Sequence, residues 1–255
     1  MNGSLVIVGL GPGSIDLLTP AAARALQAAT DLVGYETYLD RIPESIFSQR
    51  RHASGNRVEI DRARHALALA AEGNKVAVVS GGDPGVFAMA AAVFEAIEAG
   101  ERAWRHLDIR VEPGITAMLA AAAEVGAPLG ADFCAISLSN NLKSWETIER
   151  RLRAAAEGDF VIALYNPASR ARPYQLGRAF ELLRATKSPQ TIVLFVRSAA
   201  TPEARVVMTT LAEADPALAD MRTLVIIGAA ATRLVSRGGR RPWVYTPRAE
   251  HEVVR

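Results

Sequence analysis

The chain has 255 residues, half of them hydrophobic and 22% charged, with a formal net charge of +2 and a pI of about 8.9. This is ordinary globular composition, far from the basic surplus of a nucleic-acid-binding domain, and the length allows one large domain or two smaller ones. No apolar run approaches the roughly 20 residues of a membrane span, and "MNGSLVIVGLGPGS" lacks the basic n-region of a signal peptide, so a cytoplasmic location is expected.

Strands and helices alternate from the start. Leu5–Leu10 is an apolar run of strand length. Thr19–Ala29 reads as a helix with Thr19 as N-cap and Pro20 at the first helical position. Asp31–Tyr35 is a strand, and Val58–Glu72 a helix stopped by Gly73. Between them Tyr35–Arg57 has no assignment; loops of that length are usually functional or flexible. Lys75–Ser80 is a strand. Pro84–Ala99 reads as a helix with an apolar face of Phe87, Ala90, Val93 or Phe94, and Ile97, with Asp83 well placed to cap it. Leu107–Val111 is a strand.

The alternation continues with a helix at Thr116–Glu124, a strand at Phe133–Leu138 and a helix at Trp145–Glu157. A strand at Phe160–Tyr165 and a helix at Pro173–Lys187 follow, then strands at Thr191–Arg197, Arg205–Met208 and Leu224–Ile227. Runs such as "VIVGL", "VAVVS" and "TIVLFV" are apolar on both faces, as in strands of a sheet covered by helices on both sides. The expected class is α/β, in two α/β domains spanning 1–112 and 113–255 and joined near "EPG" (Glu112–Gly114).

Several strands end in turns of small residues: "GLGPGS" (Gly9–Ser14), "SGGDPG" (Ser80–Gly85), "EPGITA" (Glu112–Ala117), "YNPASR" (Tyr165–Arg170) and "GAAAT" (Gly228–Thr232). Ligands of open α/β sheets bind beyond the carboxyl ends of strands, where glycine lets backbone come close. The five turns are therefore expected on one edge, outlining a ligand cleft. A nicotinamide or flavin site fits poorly: Glu36 stands where a ribose-binding acid would, but Ser14 replaces the last glycine of G-x-G-x-x-G. Pro12 also stiffens the loop, and the next helix starts late. A P-loop is excluded, since no Gly-Lys-Ser/Thr follows any turn.

Capping accounts for Asp83 and Pro84 but leaves Gly81, Gly82 and Gly85 unexplained. The single cysteine, Cys134, sits in "FCAISL" and reads as a small core residue. His52, His65, His106 and His251 show no metal-ligand spacing, so no metal is expected. Arg41, Arg50, Arg51, His52 and Arg57 crowd the unassigned stretch, either as a solvated surface or as counter-charge for an anionic substrate. No catalytic acid, base or nucleophile stands out.

Taken in order, "VGLGPG", "SGGDPG", "EPGITA", "LYNP" and "IIGAA" resemble the tetrapyrrole (corrin and porphyrin) methyltransferases from Leu5 to about Arg240. "GYETYLDRI", "SLSNNLKSWETIERRL" and "LYNPASRAR" are most similar to the ring-contracting member of that family. The resemblance implies two α/β domains with S-adenosylmethionine in the cleft between them, in a homodimer. It implies methylation of an anionic tetrapyrrole, precorrin-3B, at ring carbon 17 with ring contraction, in cobalamin biosynthesis. Carried over by motif, the cofactor would contact Pro12, Gly81, Gly82, Asp83, Val86, Thr116, Ala117, Tyr165 and Ser198. Gly11, Gly13, Tyr35, Arg41 and Arg51 would lie towards the tetrapyrrole. Nucleic acid and membrane are not expected partners. The alternatives are another acceptor within the family, such as diphthine, a nicotinamide-dependent oxidoreductase, or a non-catalytic tetrapyrrole-binding protein.

Overall fold

A computed structural model describes residues 3–44, 48–56 and 58–249. Arg57 and His251 lie outside the described residues. The chain divides into two compact units, Met1–Ala117 and Met118–Arg255. Among the described residues no helix is long and apolar enough to cross a membrane.

The first unit runs β1 (Ser4–Gly9), α1 (Pro20–Ala28), β2 (Asp31–Tyr35), α2 (Glu36–Leu39), β3 (Arg50–Ser54), α3 (Glu59–Ala71), β4 (Lys75–Ser80), α4 (Met89–Ala99) and β5 (Asp108–Glu112). The strands form a parallel sheet in the order β3-β2-β4-β1-β5. Alternation explains the two-sided apolar runs. Leu5, Ile7, Val33, Val76 and Val78 face one core with α3 and α4, while Val8, Leu32, Ala77 and Val79 face another with Ala22 and Leu26 of α1. Thr19 caps α1 as expected, its Oγ1 accepting from the Ala22 N–H at 3.1 Å.

Two expectations fail here. The stretch Tyr35–Arg57 is not all loop, because it holds α2 and the edge strand β3. Its strand is hard to see because its pattern is polar: Arg50, Arg51 and His52 carry it. The helix expected from Pro84 begins at Met89 instead, with Ala88 as its N-cap. Pro84 therefore starts no helix, and Asp83 caps none. Phe87 has a positive φ of 54° and is exposed, as is Phe94, so the buried face of α4 is Met89, Ala90, Ala92, Val93 and Ala96.

Arg50 and His52 also fall away from the turns. At the amino end of β2, buried Asp31 accepts from Thr30 Oγ1 at 2.6 Å and Arg50 at 3.0 Å, with His52 Nε2 at 2.9 Å. Burial pushes the Asp31 carboxyl up, but these hydrogen bonds and the Arg50 charge outweigh it and hold it below its ordinary value. A depressed carboxyl pKa means the unfolded chain binds the proton more tightly. The stabilisation is then present above about pH 4 and fades as pH falls through the lower, folded value. Asp31→Asn is expected to cost about 2 kcal/mol at neutral pH, with the gap to wild type closing below pH 4 in urea titrations. A gap independent of pH would contradict this account.

The second unit contains α5 (Ala117–Ala123, which starts on the last residue of the first), β6 (Gly126–Ala127), β7 (Phe133–Ser137), α6 (Trp145–Glu157) and β8 (Val161–Tyr165). It continues with α7 (Gln175–Arg184), β9 (Ile192–Arg197), β10 (Arg205–Thr210), β11 (Thr223–Ile227), β12 (Arg233–Arg237) and β13 (Arg240–Tyr245). One sheet has the order β10-β9-β11-β8-β7, with α6 and α7 packed on Ile162, Leu164, Val193, Phe195, Val225 and Ile227. Within this sheet only β7 and β8 pair in parallel; β11 runs antiparallel to both β8 and β9, and β10 to β9. A small sheet, β12-β13-β6, completes the unit. Its hairpin turns on Gly238 and Gly239, both at positive φ, a Gly-Gly pair of the kind that marks a tight turn between strands.

The direction of β11 corrects the expectation that all five turns share an edge. Gly228–Thr232 follows β11 at the amino end of β8, where the Ala230 N–H donates to Asp159 at 2.9 Å. Tyr165–Arg170 follows β8 at the opposite edge. Cys134 packs against the core, and burial pushes its thiol pKa up.

Candidate functional site

In the first unit β4, β1 and β5 are neighbours, so their carboxyl-end turns meet. Gly11 and Gly82 exchange two backbone hydrogen bonds, Gly11 N–H to Gly82 O at 3.1 Å and Gly82 N–H to Gly11 O at 2.8 Å. The third turn packs as tightly. A Cβ on Gly9 would stand 2.6 Å from the Gly114 nitrogen, and one on Gly114 would overlap the Gly82 carbonyl oxygen. Gly9 and Gly114 are present because three backbones approach one another there, whereas Gly11 and Gly82 are called for by positive φ of 71° and 68°.

Asp83 joins two of the turns. Its Oδ1 accepts from the Gly85 N–H at 2.8 Å and its Oδ2 from the Gly114 N–H at 3.0 Å. It ties the β4 turn to the β5 turn, 31 residues away. Val86 follows, its N–H donating to the Asp83 carbonyl at 3.3 Å. Thr116 is buried beyond the β5 turn and Ala117 opens α5. Gly13 lies with Leu10, Ser14, Ile15, Arg41 and Ile42 around a small pocket.

Tyr38 was missed from sequence. Its ring lies over Gly81, where a Cβ would come within 2.7 Å of Cε1. Tyr35 packs edge-on against it at 5.4 Å between centroids, and the Arg41 guanidinium stands 6.0 Å from its centroid. The signal was there as Tyr35-x-x-Tyr38-x-x-Arg41, a spacing of three that one turn of helix brings together. Arg41 donates to the Gly11 carbonyl at 2.8 Å, and its buried Nε has no hydrogen-bond partner among the described residues. Burial lowers the Arg41 pKa, without removing a guanidinium's charge at neutral pH. Arg51 is committed elsewhere: it donates to the carbonyls of Leu39 and Ile42, both at 2.7 Å, and fastens α2 to β3.

In the second unit, the turns after β7, β8 and β9 share an edge, because β7 and β9 run in the same direction as β8. Tyr165 Oη accepts from the Met118 N–H, in the first turn of α5, at 3.1 Å. Asn166 donates to Ser137 Oγ at 2.9 Å, linking the β8 turn to the β7 turn. Ser198 is buried, and its hydroxyl has no hydrogen-bond partner among the described residues.

Among the described residues, positive φ outside glycine occurs at Phe87, Asp159, Asn166, Ser198 and Ala200. Four of these five are in the turns after β4, β8 and β9. Each costs on the order of 1–3 kcal/mol and persists only where its surroundings hold it, a pattern that marks ligand sites.

A family model for tetrapyrrole (corrin/porphyrin) methylases matches residues 4–215. The chain belongs to the tetrapyrrole methylase family. It is 57% identical over 251 residues to a precorrin-3B C(17)-methyltransferase of Sinorhizobium sp, covering 97% of each chain. Of solved structures, the methyltransferase CobJ matches with a TM-score of 0.91 and 54% identity, covering 96% of this chain and all of that one. A uroporphyrin-III C-methyltransferase from Thermus thermophilus, in complex with S-adenosyl homocysteine, matches with a TM-score of 0.67 and 26% identity, over 89% of this chain and 97% of that one. Membership sets aside the nicotinamide reading. The local fold agrees: α1 starts only at Pro20, after a single 3-10 turn at Ile15–Leu17, so no α-helix N-terminus adjoins the "GPG" turn.

Proposed function

We propose that the protein methylates precorrin-3B at ring carbon 17, with S-adenosylmethionine as donor, and that ring contraction to precorrin-4 follows, in cobalamin biosynthesis. The observation that carries this reading is the near full-length correspondence to a relative of that name, covering every turn described above. On this reading Pro12, Gly81, Gly82, Asp83, Val86, Thr116, Ala117, Tyr165 and Ser198 are the residues that contact the cofactor. The buried, unpartnered Ser198 hydroxyl supports this, since such a group is costly unless a ligand satisfies it.

When bound, S-adenosylmethionine supplies a methyl group on a sulfonium, open to displacement by a carbon nucleophile. The residues contribute alignment and exclusion of water. Fixed turns that hold donor and acceptor in line lower the barrier without covalent participation, in keeping with a site that lacks an obvious nucleophile. Asp83 fixes two turns, and Gly81 leaves room for Tyr38.

The tetrapyrrole lies towards Gly11, Gly13, Tyr35, Arg41 and Arg51. Arg41 carries the counter-charge for an acceptor carboxylate, while Arg51 shapes the loop beneath it. Arg41→Gln is expected to raise the acceptor KM at least tenfold while leaving S-adenosylhomocysteine affinity within about twofold, roughly 1.4 against 0.4 kcal/mol. Steady-state kinetics beside calorimetry checks this; equal losses for both ligands would assign Arg41 to the cofactor. The protein works as a cytoplasmic homodimer on this reading. Calorimetric titration with S-adenosylhomocysteine tests its basis: saturable binding supports it, and absence of binding contradicts it.

A further inference from the structure

We propose that Glu124 is a positioning residue, which holds the turn after β9 in its strained form so that the Ser198 hydroxyl is presented to the cofactor. The inference rests on the reading of Ser198 as a cofactor contact. Ser198 and Ala200 adopt φ of 50° and 60°, a region that non-glycine residues avoid. Two such residues in one turn persist only where specific bonds fix them. The bonds are few. The Ser198 N–H donates to the Arg222 carbonyl at 2.9 Å, and Thr201 Oγ1 donates to the Ser198 carbonyl at 2.9 Å. The Ala200 N–H donates to Glu124 Oε1 at 3.0 Å, across 76 residues of sequence. This is the one charge-assisted bond of the three, and such bonds are roughly twice as strong as neutral ones.

Glu124 follows directly on α5, whose first turn carries the Met118 N–H that donates to Tyr165. The helix therefore has one end on the β8 turn and the other on the β9 turn, and both turns hold a cofactor candidate, Tyr165 and Ser198. Glu124 is itself anchored, because its carbonyl accepts from Arg241 of β13 at 2.8 Å. The arrangement is a brace that sets the spacing of two turns. Its carboxylate is used on backbone, so Glu124 acts through Ser198 and has no catalytic role of its own.

The experiment uses the full chain as wild type, Glu124→Ala and Glu124→Gln, with S-adenosylhomocysteine as the probe. Calorimetric Kd, thermal midpoint and amide exchange are measured on each. Glu124→Ala is expected to weaken binding at least tenfold and to speed exchange at Ala200 at least tenfold, with the midpoint and the β9 core amides little changed. Glu124→Gln keeps a carbonyl oxygen for the Ala200 N–H and is expected to bind within about threefold of wild type. Undiminished binding by Glu124→Ala overturns the inference. So does failure of Gln to rescue, or a loss of affinity that comes only with a matching loss of midpoint and of β9 protection. Absence of binding by the wild-type chain would remove the proposed cofactor site and this inference with it.

Discussion

Gly114→Ala is expected to destabilise the first unit by 3 kcal/mol or more, on the order of a severe overpacking substitution. The new Cβ would overlap the Gly82 carbonyl oxygen and stand 2.9 Å from both Cα and C of Gly9. All of these are backbone atoms, so no rotamer change relieves the clash. Either the β5 turn moves away from the β1 and β4 turns, or the sheet end distorts. Moving it also breaks the bond from the Gly114 N–H to Asp83. Gly85→Ala is the matched control. Gly85 is exposed, and its Cβ would meet only Asp83 Oδ1, at 3.2 Å, so its cost should stay within about 1 kcal/mol. Urea midpoints of the two variants beside wild type check the contrast. Similar costs at both positions would mean that the glycines serve something other than packing of the turns.

Asp83→Ala is expected to weaken S-adenosylhomocysteine by about thirtyfold or more, near 2 kcal/mol, the scale of losing charge-assisted hydrogen bonds. Its effect on stability should be smaller. Without the carboxylate, the freed Gly85 and Gly114 N–H groups can turn to water in the empty protein. Binding must then reorder both turns, and that cost appears in the Kd. Asp83→Asn keeps one acceptor oxygen and should fall between. Calorimetry and urea unfolding of the three proteins separate the two effects. Equal losses in affinity and stability would reduce Asp83 to a structural tie.

Much of the fold was legible because burial writes a simple pattern. β2, β4 and α6 begin and end at the residues expected, and the Thr19 cap is as expected. Three features were not legible, each for a physical reason. Asp83-Pro84 has the residue types of a helix start, but the bonds that decide its fate come from Gly85 and from Gly114, far along the chain. A strand buried on both faces looks the same whichever way it runs. The antiparallel course of β11, and with it the edge on which Gly228–Thr232 falls, left no trace in "LVII". In β3, polar side chains bind Asp31 and the carbonyls of α2 and its following turn, so no apolar alternation marks the strand. Of the candidate site, the glycine turns were visible, but the reason for them was incomplete. Gly9 and Gly114 clear space for each other and for the Gly82 carbonyl, Gly82 is called for by its positive φ of 68°, and Gly81 clears space for Tyr38.

The destination of the methyl group decides the function. Incubation of the protein with precorrin-3B and S-adenosylmethionine labelled with 13C in the methyl group, followed by NMR and mass analysis of the product, measures this directly. The expected result is one labelled methyl on carbon 17 of a ring-contracted macrocycle, with S-adenosylhomocysteine formed in equal amount. Label on another ring carbon, or no transfer from a chain that binds S-adenosylhomocysteine, would contradict it.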